Sequence, residues 1–314
     1  MSAGPVLDAE SLRRWLVGPE VVDVDGAVWS WRGEPAGYRY AEAGGLWLSW
    51  ITMVDPQHAR APAVARWLER ALVEGGVGRD GVGYTFDLGV VLTGLLRWRQ
   101  ATGAGLGYAV RRGAAELVAA ITERRAVTGA AHARWSTRFG PHQRKLAIAL
   151  DRIDEAALLD TTAARAALCL ATGDEPLELV GQGAEPIYLH AAAYALEGSW
   201  SLGATETVAR GASWLAEIQR DDGGLSAWWH PRQGAHGPAR ADATAQAVRL
   251  WCGADPQRHA AAIDRGLGFL AGLHDPRGGV RYDDVTPHRN VWCALFSWQA
   301  LQFASGNARA ETLL

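Results

Sequence analysis

The feature that most constrains this chain is internal repetition. A unit recurs along it: an amphipathic helix, a Gly-rich loop carrying an aromatic residue, a polar residue, then a helix that is apolar nearly all round. Two copies are plain. GASWLAEIQRDDGGLSAWW leads into RADATAQAVRLWCG, and RGLGFLAGLHDPRGGVRYDD leads into HRNVWCALFSWQAL. Gly223-Gly224 and Gly278-Gly279 punctuate the two at matching points, where a helix must end and a left-handed conformation is expected. Two fainter copies follow the same logic: RWLERALVEGGVGRDGVGYTFD into LGVVLTGLLRW, and VGQGAEPIYLH into AAAYALEGSW.

The apolar helices therefore start near Tyr40, Asp87, His142, His190, Asp242 and Asn290, at intervals of 47, 55, 48, 52 and 48 residues. A steady interval of this size predicts stacked helical hairpins. The second helix of each pair has no polar face and must be buried on both sides, whereas the first keeps one, as at Arg66, Glu69 and Arg70. The expected fold is all-α: an α/α toroid of about six hairpins with the apolar helices inside, in one domain over residues 1–314. Only Val21–Trp31 alternates like a strand. That reads as a short hairpin, or as an N-terminal strap over residues 1–35.

Composition narrows the partners. A net charge of -3, with no long Lys/Arg run, excludes a field for nucleic acid. The N-terminus lacks a basic start followed by an apolar run, and no 18-residue apolar stretch occurs, so neither a membrane span nor export is expected and a cytoplasmic protein is. Cys169, Cys252 and Cys293 are odd in number and sit in apolar patterns, which predicts buried thiols. The 15 Trp against 5 Phe serve either a core or a ligand wall. Trp50, Trp98, Trp251 and Trp298 recur eight to eleven residues into their helices, which marks them as core.

EIQRDDGGLSAW and GLHDPRGGVRY resemble the punctuation of protein-prenyltransferase β-subunits and squalene-cyclase-like terpenoid cyclases, and the hairpin resemblance extends over most of the chain. That resemblance implies the toroid fold. In the prenyltransferases it would also imply a zinc held by an Asp, a Cys two residues later and a His. Asp242 stands at the Asp position, but Thr244 and Asn290 replace the Cys and His, and neutral oxygens are poor zinc ligands. The Asp-x-Asp-Asp acid motif of class II cyclases is also missing. No metal site and no cofactor are expected, and there is no P-loop, dinucleotide fingerprint, GxSxG elbow or HExxH pair.

Chemistry is expected where the inner-helix N-termini converge, since unpaired N–H groups and helix dipoles gather there. Asp87, His190, Asp242 and Lys145 are the candidate catalytic groups. Asp87 and Asp242 also have a plainer reading as N-caps, and His190 and Asn290 one as satisfied core polar groups. Lys145 is the only lysine in a chain that otherwise writes its cations as Arg, which singles it out as a cavity amine.

The expected substrate contacts are Tyr40, Trp135, Trp228, Trp229, His230, Arg240, Tyr282, Asp283, His288, Arg289 and Asn290, with Glu42 as the alternative to Tyr40. The loop Trp228–Arg240 and the PHRN segment make the mouth locally cationic, which suits a small, partly apolar, anionic substrate. Three functions follow: a terpene-cyclase-like lyase or isomerase using metal-independent acid–base chemistry, a carbohydrate-active hydrolase, epimerase or lyase using Asp87 and Asp242 as paired carboxylates, or a non-catalytic binding toroid.

Overall fold

The computed structural model describes residues 6–129, 131–132, 134–170 and 186–314. Residues 180–185, which begin the fourth repeat, lie outside the described residues. Twelve α-helices run through the described residues: α1 (Ala9–Leu16), α2 (Ala41–Val54), α3 (Ala61–Glu74), α4 (Thr85–Thr102), α5 (Tyr108–Thr122), α6 (Ala147–Glu155), α7 (Thr162–Leu170), α8 (Leu189–Ser201), α9 (Thr205–Glu217), α10 (Ala241–Ala254), α11 (Ala260–Leu273) and α12 (Val291–Ala304). The even-numbered helices pack neighbour to neighbour as an inner ring, which closes because α12 packs on α2. The odd-numbered helices lie outside them.

Burial follows the hydropathy pattern. Every residue of α10 from Ala241 to Trp251 is buried, whereas α3 buries Val64, Ala65, Leu68 and Leu72 along one stripe and exposes Arg66 and Arg70. Trp50 and Trp251 are wholly buried, and Trp98 and Trp298 pack against the same core. Small residues let the inner helices approach closely. A Cβ on Gly94 of α4 would stand 2.4 Å from the Gly45 carbonyl oxygen of α2.

Five inner helices begin within two residues of the expected positions. The third differs, entering as a 3-10 turn over Pro141–Leu146 before α6, and this tighter turn lays its backbone directly on α8 at Gly198. The N-terminal segment, described from residue 6 on, combines short pairings with a helix. Val22 pairs with Val28 and Trp31–Arg32 pairs with Arg289–Asn290, but α1 in the same segment packs on α12 as an outer helix. Its Trp15 lies against Gly278 and Gly279, whose φ values of 91° and 84° are both left-handed, and a Cβ on Gly278 would reach within 2.6 Å of it.

The longest strands were not anticipated. Leu225–His230 and Gly234–Arg240 form an antiparallel hairpin, and Ile187–Tyr188 adds to it opposite Trp228–Trp229. Tertiary pairing at the ring end supplies an order that local alternation does not signal. The cysteine expectation also fails at Cys169, which is exposed; Cys252 is half-buried and Cys293 buried. No helix among the described residues is long and apolar enough to cross a membrane.

Candidate active site

A cavity of about 190 Å³ opens where the inner helices begin. Its polar wall carries Glu42, Arg79, Asp87, His190, Arg240 and Asp242, and its aromatic wall Tyr40, Tyr84, Phe86, Trp135, Tyr188, Tyr194, Tyr282 and Trp292. The repeat itself builds much of that aromatic wall. Tyr40, Tyr84 and Tyr188 are the residues immediately preceding α2, α4 and α8, so each is delivered to the same end of the ring.

One side of the cavity is an acid cluster. The Tyr40 phenol donates to Asp87 Oδ2 at 3.0 Å. Burial, reinforced by the Glu42 carboxyl and opposed by the Arg79 guanidinium, pushes the Asp87 carboxyl up to about 8. Burial likewise raises the Glu42 carboxyl, opposed by the Arg79 guanidinium. Arg79 lies over the Tyr84 ring at 4.9 Å and the Tyr40 ring at 5.4 Å.

The other side is held ionised. Arg240 clamps Asp242 with both ends of its fork, Nε donating to Oδ1 at 3.1 Å, and the Ala243 amide donates to the same oxygen at 2.8 Å. Burial would raise the Asp242 carboxyl, but Arg240 first and His190 second outweigh it and hold the group below its ordinary range. The guanidinium in turn lies 3.6 Å from the centre of the Tyr282 ring. His190 Nδ1 is 2.6 Å from Gln246 Oε1 and 3.6 Å from Asp242 Oδ2, and burial lowers the ring's affinity for a second proton despite Asp242.

Of the four candidate catalytic residues, Asp87, His190 and Asp242 line this one cavity. Neither Asp caps its helix, because Tyr84 and Arg240 occupy the N-cap positions of α4 and α10. Lys145 does not line the cavity. It is buried against Glu197 at 2.7 Å, because a lone ammonium among inner helices needs a counter-charge.

Among the expected substrate contacts, Tyr40, its alternative Glu42, Trp135, Arg240 and Tyr282 line the cavity and the others do not. Asn290 caps α12 by accepting from the Cys293 amide at 3.0 Å, and Asp283 accepts from the Val285 amide at 3.0 Å within its own turn. Arg289 pairs with Glu20 on the N-terminal side, and His288 stacks between Tyr282 and Trp31. Alternation in the 225–230 strand sends Trp229 against Trp214 of α9 and Trp228 against Tyr188, while His230 turns back to accept from the Arg232 amide. The cationic mouth is thereby dispersed: Arg240 and Arg289 are committed to carboxylates. Arg79, Tyr84, Phe86, Tyr188, Tyr194 and Trp292 escaped the sequence reading, although the tyrosine before three of the inner helices, Tyr40, Tyr84 and Tyr188, was a legible repeat signal.

No protein-family profile matches the sequence, and no curated protein does. Solved structures do match in fold. A glycosidase superposes with a TM-score of 0.66 at 15% identity over 95% of this chain and 99% of its own. An unsaturated glucuronyl hydrolase specific for heparin gives 0.63 at 13% identity, with 95% of each chain covered. A type II terpene cyclase from Scytonema gives 0.58 at 12% over 96% of this chain and 97% of its own. With that ring shared end to end, the chain is an α/α toroid.

Proposed function

We propose that this chain is a carbohydrate-active enzyme that cleaves a glycosidic bond in the toroid cavity, with Asp87 as proton donor and Asp242 as its ionised partner. The observation that carries the reading is the split between two carboxyls lining one cavity: Asp87 pushed up to about 8 and Asp242 held low by Arg240. Glycoside cleavage needs that division, one group giving a proton to the departing oxygen while the other, charged, supports the cationic sugar or activates water. The flat rings of Trp135, Tyr188 and Trp292 offer stacking faces for a pyranose, and Arg79 offers donors to hydroxyls or a sugar carboxylate. The fold likeness to a glycosidase and a glucuronyl hydrolase points the same way.

A cyclase-like lyase or isomerase is the second reading, favoured by eight aromatic rings around a protonated acid. The polar wall counts against it, since Arg79, Arg240 and Asp242 can bond the hydroxyls of a sugar but have no partner on a hydrocarbon chain. Release of reducing sugar from neutral and acidic aryl glycosides tests the proposal. Asp87→Asn should lower turnover by about two orders of magnitude or more. Absence of sugar release together with ring closure of an isoprenoid chain would replace the proposal with the second reading. Saccharide binding without turnover of any kind would make the toroid a binding protein.

A further inference from the structure

A buried charged cluster that the catalytic reading leaves unused lies two turns along α8 from His190. Glu197 is wholly buried and is met by Lys145 Nζ at 2.7 Å on Oε2 and by the Arg249 guanidinium on Oε1. Gln246 Nε2 reaches Oε2 at 3.3 Å from α10, and the same amide's Oε1 lies 2.6 Å from His190 Nδ1.

The donor and acceptor roles along this chain are forced in sequence. Lysine and arginine can only donate, and a carboxylate paired to both can only accept. The Gln246 nitrogen must therefore face Glu197, which turns its carbonyl oxygen to His190. A carbonyl oxygen accepts only, so Nδ1 must carry a hydrogen. Asp242 Oδ2, 3.6 Å from the same nitrogen, is a second acceptor on that side. The neutral ring then has its lone pair on Nε2, for which no protein partner occurs among the described residues.

We propose that Glu197 and Gln246, held by Lys145, are positioning residues that fix His190 as its Nδ1–H tautomer and so offer the Nε2 lone pair to the cavity as a hydrogen-bond and proton acceptor. Burial keeps the ring neutral, so the lone pair is present at neutral pH. The use of that lone pair on a substrate rests on the function proposed above; the tautomer does not. The sole lysine thus acts at a distance, as the pin of a relay that ends on a residue of the cavity wall.

Nitrogen spectra of protein labelled with 15N-histidine separate protonated from unprotonated ring nitrogens, and His190→Gln identifies the His190 signals among the nine histidines. The wild type should show His190 protonated on Nδ1 and bare on Nε2. Gln246→Met removes the acceptor and should lower the Nδ1–H to Nε2–H ratio about tenfold. Lys145→Gln, which frees Glu197 to shift, should move the ratio the same way. A wild-type ring protonated on Nε2, or on both nitrogens at neutral pH, overturns the proposal even if neither variant folds. So does a ratio unchanged in a folded Gln246→Met. On a saccharide substrate, Gln246→Met should lower kcat with KM nearly constant. A shifted tautomer with unaltered kcat upholds the relay and removes His190 from the reaction.

Discussion

Tyr40 and Asp87 are joined by a 3.0 Å hydrogen bond across 47 residues of sequence, which is one repeat interval. The bond ties the entrance of α2 to the first turn of α4, so the hairpin stacking that closes the ring also places a phenol donor on one carboxyl oxygen and leaves the other, Oδ1, free of it.

Activity should fall on the alkaline side with an apparent pKa of about 8, because the proton-donating form of Asp87 is present below that value and lost above it. The same shift has a stability consequence. Folded Asp87 binds its proton more tightly than unfolded Asp87, so its contribution is full below the ordinary carboxyl pKa of about 4 and is lost as pH rises through about 8. Asp87→Asn should remove the alkaline limb and flatten the melting temperature over that window. An alkaline limb surviving in Asp87→Asn would assign it to another group.

Asp242→Asn should lower the melting temperature as well as turnover. The N-cap reading of the sequence implied a stability-neutral change, since Asn caps nearly as well as Asp. The ion pair reverses that expectation, because the substitution strands the buried Arg240 guanidinium without its counter-charge, at a cost of about 3 kcal/mol. Arg240→Gln combined with Asp242→Asn should recover most of the loss, as thermal melts of the four proteins would show. An unshifted melt in the single variant would mean that the pair contributes nothing to stability.

Two glycine-to-alanine changes should have opposite signs. A Cβ on Gly198 would sit 2.1 Å from the Arg144 carbonyl carbon and 2.3 Å from the Lys145 nitrogen, both backbone atoms. Gly198→Ala should therefore destabilise by about 2 kcal/mol or more. Gly268, on the outer helix α11, has nothing within 4 Å of a Cβ, and Gly268→Ala should stabilise by up to about 1 kcal/mol. Denaturant unfolding of both separates close packing from helix propensity.

The candidate site was legible wherever a residue's place in the repeat decided its place in space. Asp87, His190 and Asp242 stand at inner-helix starts, and the ring brings those starts together. It was illegible where loops decide. Arg79 reaches the cavity from the end of a two-residue strand, Gly78–Arg79, and Trp228 and Trp229 separate because a strand alternates its faces. Lys145 was conspicuous by composition, but its partner Glu197 lies 52 residues away, and nothing local reveals that pairing.

The sequence by itself determined the architecture, because burial of a helix that is apolar nearly all round is a local requirement repeated along the chain, and a ring satisfies every copy at once. Tertiary structure alone decided the chemistry. Whether a carboxyl keeps its proton depends on which groups other turns of the chain bring beside it, and Asp87 beside Tyr40 and Glu42 differs from Asp242 beside Arg240 for that reason only. Electrostatic environment is a property of distances in space, and the repeat specifies only distances along the chain.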